Sequence, residues 1–418
     1  MRTLYTLAWW LLLPLVFLHL LWRARRQPEY LRHWGERLGA APRLGHRPVI
    51  WLHAVSVGET RAAAPLVSAL RAAYPGYTLL ITHTTPTGRA TGAELFGDTV
   101  VQAYLPYDLP WCLRRFLDRA GPRLCILMET EVWPNLIQVC HRRAIPVCLV
   151  NARLSARSAR GYARLGRLAR QALAGLALVA AQTEADAARL RALGAREVVV
   201  TGNLKFDVTP PADTAQRAAE LRALFGARFV WLAASTREGE EALLLDALDR
   251  LDLPGLLLVI VPRHPQRFDA VAQTIAARGL SFARRSEHRP VAAAERVFLG
   301  DSLGELAAYY RAADLAFVGG SLLPHGGHNL IEAAAAGVPV LIGPHTWNFA
   351  QAAQAAVASG AAIRVHDVQA LAAQVRRLYI DAGARRAMAA AGLAFARAHQ
   401  GATQRVMDQL ARLCGGQG

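Results

Sequence analysis

The sequence predicts an α/β protein with two Rossmann-like domains, a central cleft between them and a membrane-anchoring helix in front. Short apolar runs alternate with helical patterns, which is typical of parallel, doubly wound sheets. The alternation stops once, at 207–216 (DVTPPADTAQ), where prolines and small polar residues indicate a linker. Residues 4–22 add an uninterrupted apolar stretch near the amino end.

This apolar stretch has the properties of a membrane anchor. Its 19 residues include no Asp, Glu, Lys or Arg, and roughly 20 apolar residues cross the hydrocarbon core. The basic motif RARR follows at 23–26, which predicts that the chain downstream is cytoplasmic. A cleaved signal peptide is disfavoured because no A-x-A-like site follows. Pro14 and His19 leave open whether the helix spans the membrane or is embedded in one face of it.

Each predicted domain is a series of strand-like apolar runs. In the first domain these are PVIWLHA, TLLITHTT, VVQAYLP, LCILMETE, PVCLVNA, LALVAAQTE and EVVVTGN. In the second they are FVWLAAST, LLLVIVPRH, RVFLGDS, LAFVGGS, VPVLIGP and AAIRV. The predicted division is an anchor at 1–22, a first domain at 23–207, a linker at 208–226, a second domain at 227–395 and a C-terminal helix at 396–418.

Composition narrows the range of partners. The 418 residues are 53% hydrophobic and 19% charged, which is typical of a globular protein. The net charge of +17 suits a membrane surface, nucleic acid or a phosphorylated substrate. The cysteines show no C-x-x-C spacing, so we expect buried thiols of a reducing compartment, with neither disulfides nor a zinc site. They are Cys112, Cys125, Cys140, Cys148 and Cys414.

Among the 48 lysines and arginines only one is a lysine, Lys205. A planar guanidinium does not replace a compact ammonium without loss where a site is tight. A chain that uses arginine almost everywhere therefore keeps a lysine either by chance or for a specific role. We predict the specific role for Lys205.

The segment HAVSVGET (53–60) leaves an apolar run and starts a helix with an acid, Glu59. One interpretation is a helix amino terminus, capped by Ser56 and favoured by the carboxylate at the positive end of the helix dipole. The other is a catalytic carboxylate at the carboxyl edge of a parallel sheet. A helix amino terminus by itself lowers the pKa of a carboxylate and keeps it ionised, and the sequence leaves open whether a neighbouring group raises the basicity of Glu59.

Three strand ends of the second domain carry motifs that suit a nucleotide. Arg263 and His264 follow one strand, residues 302–304 open a helix after the next, and the helix near Asn329 begins after paired glycines. Glu332, in the first turn of that helix, is placed to bind a ribose diol. Each motif alone is more often an ordinary turn or cap, but together they favour a sugar-nucleotide site.

Other cofactor sites are disfavoured by the motifs. Neither G-x-G-x-x-G after a first strand nor the Walker motif occurs, so a dinucleotide or P-loop site is not expected. The D-x-D motif of metal-dependent sugar transferases is also missing. His325 and His328 lie in a glycine loop without a matching acid or cysteine cluster, so loop hydrogen bonding is favoured over metal binding.

The first domain carries features that suit an anionic acceptor. Glu129 and Glu131 end a predicted strand in METEVWPN, where an extended backbone would turn both to one side, although solvated strand-end acids are an equal alternative. Residues 151–170 then contain six arginines and no acid, and a helix would place most of them on one face. A lipid headgroup or phosphorylated acceptor suits that face; nucleic acid, the second candidate, is disfavoured by the anchor. These arginines are Arg153, Arg157, Arg160, Arg164, Arg167 and Arg170.

Taken together and in this order, the motifs resemble those of the Kdo (3-deoxy-D-manno-octulosonic acid) transferases of lipopolysaccharide synthesis. The resemblance runs from residue 34 to about residue 349 and is highly specific as a set. The matching stretches are WGERLG, HAVSVGET, TPTG, YLPYDLP, METEVWPN, NARLSARSARGYA, TGNLKFD, PRHPQRF, GDSLGEL, LAFVGGS, GGHNLIEAAA and GPHTWNF.

The resemblance implies a GT-B fold attached to the cytoplasmic face of the inner membrane. It implies inverting, metal-independent transfer of Kdo from CMP-Kdo to the lipid A precursor (lipid IVA), with no cofactor beyond this donor and no nucleic acid. Glu59 would be the general base, and Glu129 and Lys205 would stabilise the transition state. The CMP site would be lined by Pro262, Arg263, Leu303, Gly304, Glu305, Asn329, Leu330, Ile331 and Glu332. The acceptor face would be formed by Arg153, Arg157, Arg160 and Arg164.

Three other functions remain as alternatives. A transferase could use a uridine or guanosine sugar donor on the same two-domain plan. A nonhydrolysing sugar-nucleotide epimerase can share the plan as well, but it needs neither a lipid acceptor nor an anchor. A membrane-tethered binder of anionic lipid or nucleic acid would need no catalytic carboxylate.

Overall fold

A computed structural model of the protein describes residues 1–25 and 27–415, with side chains up to Leu413. Arg26, part of the basic motif after the anchor, and the last three residues of the predicted C-terminal helix lie outside the described residues, as does the side chain of Cys414. The chain forms two compact units. The first comprises Met1–Val208 together with Gln400–Gly418, and the second comprises Thr209–His399.

The first unit is built on a parallel sheet of seven strands. The strand order is β3-β2-β1-β4-β5-β6-β7, so the chain reverses direction across the sheet between β1 and β4. The strands are β1 Val49–His53, β2 Thr78–His83, β3 Val101–Tyr104, β4 Pro122–Met128, β5 Val147–Ala152, β6 Leu178–Ala181 and β7 Val198–Val200.

Helices connect these strands, and apolar residues on both faces of the sheet form its two core layers. The first helix, α1, precedes the sheet and has the length and apolar composition needed to cross a membrane. The helices are α1 Arg2–Ala24, α2 Trp34–Arg37, α3 Val57–Ala73, α4 Pro86–Phe96, α5 Pro110–Ala120, α6 Pro134–Arg142, α7 Ala156–Arg164, α8 Arg167–Ala174 and α9 Glu184–Ala192.

The second unit repeats the plan with seven parallel strands in the order β10-β11-β9-β8-β12-β13-β14. Its strands are β8 Phe229–Thr236, β9 Leu256–Pro262, β10 Phe282–Arg284, β11 Val297–Leu299, β12 Leu315–Val318, β13 Val340–Ile342 and β14 Ala362–Arg364. Its helices are α10 Thr214–Phe225, α11 Glu240–Asp249, α12 Phe268–Ala277, α13 Leu306–Ala312, α14 Ile331–Ala335, α15 Ala350–Ala358, α16 Val368–Ile380 and α17 Ala382–His399.

The final helix, α18 (Ala402–Gly415), returns to the first unit. Its apolar face, with Ala402, Val406 and Leu410, packs into one of the two core layers there. Asp207 fixes its start, because the carboxylate accepts hydrogen bonds from the backbone N–H groups of Gly401 at 2.7 Å and Thr403 at 2.5 Å. The expected separate C-terminal segment, 396–418, is therefore divided between the end of α17 and this helix.

The predicted fold class, two Rossmann-like α/β domains with one apolar N-terminal helix, is confirmed. Each of the thirteen apolar runs interpreted as strands overlaps one of the observed strands. The edge strand β10 was not predicted, because its two apolar residues are flanked by Ser281 and Arg284 and form no longer apolar run. The segment expected as a linker, 208–226, carries α10, whose buried face includes Leu221 and Phe225.

A single helix over the arginine-rich segment 151–170 would have placed most of its arginines on one face, but the segment does not form a single helix. Arg153 lies after strand β5, and the helix breaks between α7 and α8 at Gly166, whose φ is 54°. A left-handed residue cannot continue a right-handed helix. Only Arg157, Arg160 and Arg164 share the exposed helix α7.

Candidate active site

Glu59 lies in the first turn of α3, at the carboxyl edge of the first sheet. The hydroxyl of Ser56 accepts the backbone N–H of Glu59 at 3.4 Å, and the Glu59 oxygen Oε2 accepts the backbone N–H of Val55 at 2.7 Å. The predicted helix-capping role is therefore present. Within residues 1–25 and 27–415, no group donates a hydrogen bond to the other carboxylate oxygen, Oε1, so it can accept one from a substrate.

The pKa of Glu59 is raised to about 8. Burial is the main cause, and the hydrogen bond from Val55 opposes it. The nearby carboxylates of Glu129 and Glu131 raise this pKa further, and Lys205 lowers it. The question that the sequence left open is thus answered: desolvation and two neighbouring acids outweigh the helix amino terminus, which alone would lower the pKa. A carboxyl group with a pKa near neutrality is a stronger base than an ordinary glutamate.

Glu129 follows strand β4 in an unusual backbone conformation. Its φ of 53° is in the left-handed region, which is costly for a residue with a Cβ and is concentrated at functional sites. The chain turns here, with the N–H of Glu131 donating to the carbonyl of Met128 at 3.2 Å. The extended geometry expected for Glu129 and Glu131 was therefore wrong, although both carboxylates act on Glu59 electrostatically.

Glu129 is only 3% exposed, and two cations bind its carboxylate. The Lys205 ammonium donates to Oε1 at 3.0 Å, and the Arg153 Nε donates to Oε2 at 2.8 Å. Lys205 lies on a short 3-10 turn, Leu204–Asp207, where Asn203 accepts its backbone N–H at 3.0 Å. The structure thus brings together Glu129, Lys205 and Arg153, and it moves Arg153 from the predicted acceptor face into this cluster.

His53 is a member of this site that the sequence reasoning missed. Its side chain is fully buried, and Nδ1 lies 2.9 Å from the carbonyl oxygen of Thr82. Nε2 faces Glu131 at 3.8 Å, while the Trp133 indole donates to the same Glu131 oxygen at 2.9 Å. Its position as the first residue of HAVSVGET, at the end of an apolar run, was the available signal.

The other three predicted acceptor arginines, Arg157, Arg160 and Arg164, lie apart from this cluster on the exposed helix α7. Together with Gly161 they line an open depression of about 520 Å³. None of them forms an ion pair with a described acid. The face therefore presents three cations to an external anion.

The second unit gathers its own cluster of positive charge at the ends of strands β8, β9 and β12. Burial lowers the pKa of His328 to about 4, and the nearby charges of Arg263, Arg237, His264 and His325 lower it further. Arg237 contacts His264 at 3.0 Å. His328 Nε2 is buried without a hydrogen-bond partner among the described residues. Arg237, a residue that sequence reasoning missed, follows strand β8 as Arg263 follows β9.

The loop after β12 is held by a buried carboxylate that the sequence did not single out. Glu240, fully buried, accepts four backbone N–H groups: that of Arg237 at 2.9 Å, and those of Gly320, Ser321 and Leu322 at 2.6, 3.0 and 3.0 Å. Glycine is required at position 319, because a Cβ there would lie 2.6 Å from the carbonyl oxygen of Ser235. The loop is therefore drawn tightly against strand β8.

The predicted CMP residues have different environments. Pro262 ends strand β9, and Leu303 is 68% exposed beside Gly304, whose φ is 77°. Glu305 is buried, and Arg285 binds its carboxylate through two hydrogen bonds, at 3.0 and 2.9 Å. Although burial opposes this, the hydrogen bonds from Arg285 and Ser302 lower the pKa of Glu305.

The remaining predicted CMP residues lie at the start of α14. Asn329 accepts the backbone N–H of Ile331 at 3.1 Å and donates to Glu332 at 3.0 Å. The side chains of Leu330 and Ile331 are buried in the unit, so only their backbone can face a ligand. The hydrogen bond between Asn329 and Glu332 thus holds these two side chains next to each other at the start of α14.

The described histidines and cysteines give no indication of a metal centre. Within the described residues no group of three His, Cys, Asp or Glu side chains is arranged to hold a metal ion. His325 instead contacts the carbonyl oxygen of Glu238 through Nε2 at 3.1 Å, as its loop position predicted. Cys112, Cys125, Cys140 and Cys148 are buried free thiols, as expected.

The two units are Rossmann-like parallel-sheet folds, and a glycosyltransferase family model matches the second of them. Residues 242–394 match the family model of group 1 glycosyl transferases. A solved UDP-GlcNAc 2-epimerase from Neisseria meningitidis shares the fold, with a TM-score of 0.60 at 15% identity over 87% of this chain and 100% of that one.

The first unit identifies the family more closely. Residues 32–208 match the model of the 3-deoxy-D-manno-octulosonic-acid transferases (Kdo transferases). A 3-deoxy-D-manno-octulosonic acid transferase of Bordetella pertussis is 46% identical, with 98% of each chain covered. One of Haemophilus influenzae is 38% identical, again over 98% of each chain. The chain belongs to the Kdo transferase family and is a glycosyltransferase.

Proposed function

We propose that the protein transfers Kdo from CMP-Kdo to the lipid A precursor, lipid IVA, during lipopolysaccharide synthesis. The reaction is inverting and uses no metal ion, and Glu59 is its general base. The observation that carries this proposal is the Glu59 carboxylate, with one oxygen available and a pKa raised to about 8. Family membership supports the choice of sugar.

In the proposed reaction, Glu59 removes the proton from an acceptor hydroxyl through its available oxygen, Oε1. The hydroxyl oxygen forms a bond to the anomeric carbon of Kdo as the bond to the phosphate oxygen of CMP breaks, so CMP leaves with the bonding electrons. Attack from the face opposite the leaving phosphate inverts the configuration. After the reaction the proton remains on Glu59, whose raised pKa favours that state.

The cluster of Glu129, Lys205 and Arg153 supports a stabilising role during this step. Its ion pairs hold the ammonium and the guanidinium in fixed positions before substrate arrives. Preorganised charges stabilise a transition state without reorganisation at the moment of reaction. We propose that this cluster stabilises the charge that develops when the acidic sugar leaves its phosphate.

The donor is proposed to bind in the second unit and the acceptor in the first. CMP-Kdo carries a phosphate and a sugar carboxylate, and the guanidinium groups of Arg237 and Arg263 offer positive charge to both. The two phosphates of lipid IVA suit the exposed arginines of α7, because cations that lack internal partners are available to an external anion. The basic residues after α1 favour the cytoplasmic face of the inner membrane.

The first test separates the donor classes. CMP should raise the thermal midpoint of the purified protein, whereas equal concentrations of UDP and GDP should not. Incubation with CMP-Kdo generated in situ and lipid IVA should then give products heavier by one or more Kdo units in mass spectra. Protection by UDP or GDP alone would instead favour a transferase of another nucleotide sugar.

The second test addresses the base. Glu59→Gln should lower turnover by about 10²–10⁴-fold, the usual contribution of general-base catalysis, and should leave CMP protection intact. Glu94→Gln, which alters an exposed acid on α4, is the matched control and should keep full activity. An active Glu59→Gln protein would contradict the assignment of the base while leaving the donor test unaffected.

A further inference from the structure

Helix α1 has two apolar faces, and among the described residues only one of these faces has a packing partner. The inner face repeats every three or four residues and packs along the first unit. Leu13 contacts the cluster of Leu109 and Cys112, while Leu20 and Ala24 pack with Tyr30. This inner face consists of Tyr5, Trp9, Leu13, Phe17, Leu20 and Ala24.

Ring contacts and hydrogen bonds attach the inner face along most of the helix. Phe17 packs edge-on against Trp34, with ring centroids 5.1 Å apart, and Trp9 lies 6.0 Å from Tyr107. Near the amino end, the Tyr5 hydroxyl donates to the buried carboxylate of Asp108 at 2.9 Å. The contacts extend from the first turn to the last, so the helix is a component of the first unit over its length.

The outer face, which we call the leucine stripe, is exposed from one end of α1 to the other. Its residues also recur every three or four positions, and no charged residue interrupts it. A 23-residue helix is about 35 Å long, so this is a long apolar surface of the kind that marks an interaction site. The leucine stripe consists of Leu4 (64% exposed), Leu7 (52%), Leu11 (79%), Leu15 (59%) and Leu18 (61%).

We infer that α1 lies in the plane of the membrane, with the leucine stripe buried among the acyl chains of one leaflet. Its surroundings identify lipid as the occupant. Arg2 precedes the stripe, Arg23 and Arg25 follow it, and the helix contains no acid; such cations favour anionic headgroups. Trp10 stacks on Trp111 of α5 at 6.2 Å, an arrangement suited to the headgroup level.

A spanning orientation conflicts with the packing of the inner face. A helix that crosses the membrane would carry the surface of the first unit from Asp108 to Tyr30 to the depth of the hydrocarbon. Polar groups and irregular backbone are costly there unless they are enclosed by protein. If α1 instead detached from the first unit to cross the membrane, the hydrogen bond between Tyr5 and Asp108 would break and the aromatic residues that contact Phe17 would be exposed. The in-plane orientation keeps both ends of α1 on one side of the membrane.

Spin labels on the leucine stripe of the full-length protein test this orientation. Cysteines replace Leu4, Leu11 and Leu18 one at a time, in a Cys414→Ser background, and the labelled proteins are bound to vesicles of phosphatidylethanolamine and phosphatidylglycerol. We expect all three labels at one depth, judged by oxygen and nickel-chelate accessibility. A label at Leu11 deeper by about 10 Å than the other two would indicate a spanning helix and overturn the inference. Labels that contact no lipid but couple to those of a second copy would overturn it as well.

A charge substitution provides an independent readout. The double variant Leu11→Glu and Leu15→Glu should reduce vesicle flotation at least tenfold, with an unchanged thermal midpoint because neither leucine is buried in the unit. Leu95→Glu, at a 42%-exposed leucine on α4, is the matched control and should float like the unmodified protein. Undiminished flotation of the double variant, or loss of flotation in the control, would contradict the leucine stripe as the lipid-binding surface.

Discussion

Lowering the pH from 8 to 6 should lower the rate of transfer sharply, because the proposed base, Glu59, can accept a proton only when it is ionised. Its pKa is raised to about 8, mainly by burial, with Glu129 and Glu131 adding to the effect. Half of the Glu59 carboxyl groups are then ionised at pH 8 and roughly 1% at pH 6. We therefore expect kcat/KM for the acceptor to rise about 50-fold between these two pH values, since only the ionised form accepts the proton.

The assay for this prediction measures initial rates at low acceptor concentration from pH 5.5 to 9.5, with saturating donor. CMP binding and thermal stability are recorded at each pH. Weaker donor binding or unfolding can then be distinguished from protonation of the base. An ordinary glutamate would titrate near pH 4.3 and give a flat profile over this range. A profile flat from pH 6 to pH 9 would therefore refute both the raised pKa and the reasoning from burial.

Glu131→Gln sharpens the same test. The variant removes one of the acids that raise the pKa of Glu59 but leaves the ion pairs of Glu129 intact. The midpoint of the pH profile should move to lower pH, while the slope of the rising limb stays the same. Glu94→Gln should not move it, because that acid lies exposed on α4. An unmoved midpoint in Glu131→Gln would show that the carboxylates do not interact as described.

Three further predictions concern stability and positioning. Because the folded state raises the pKa of Glu59 above its unfolded value, this residue destabilises the fold as pH rises from about 4.5 to about 8. Glu59→Gln should thus match the stability of the unmodified protein in urea unfolding at pH 4 but exceed it at pH 9, by at most ~5 kcal/mol; equal stability at pH 9 would contradict the burial cost. Lys205→Arg should lower kcat more than tenfold with CMP protection unchanged, because a planar guanidinium cannot reproduce the compact contact with Glu129; full activity would show that the lone lysine is incidental. Glu240→Gln should destabilise the protein by about 2–4 kcal/mol in urea unfolding, because its amide cannot accept all four N–H groups; a smaller effect would show that the loop does not depend on this carboxylate.

The features that the sequence predicted well are those encoded by local pattern. Apolar runs predicted the strands, and the position of Glu59 after such a run placed it at the carboxyl edge of the sheet. The rarity of lysine singled out Lys205, which the structure pairs with Glu129. In each of these cases the evidence lay within a few neighbouring residues, where strand periodicity and residue chemistry apply directly.

The features that were missed depend on partners distant in the chain. Periodicity assigned Arg153 to a helix face, but its partner, Glu129, lies 24 residues earlier and is reached only through strand pairing. Glu240 accepts N–H groups 80 to 82 residues away, so nothing around it distinguishes it from a solvated acid. The raised pKa of Glu59 could not be predicted for the same reason. The effect of a helix end is local, whereas the burial that raises this pKa is set by the tertiary fold.

Helix α1 shows how a correct local prediction can leave the functional question open. Its hydropathy predicted an anchor but could not distinguish a spanning helix from an embedded one, because both orientations require the same apolar residues. Packing separates the two. The inner face packs on the first unit from Tyr5 to Ala24, which leaves the exposed leucine stripe available to lipid. If α1 lies in the membrane plane, the unit that carries Glu59 is held against the surface where a lipid acceptor resides, and the acceptor hydroxyl needs to leave the bilayer only by the depth of its headgroup.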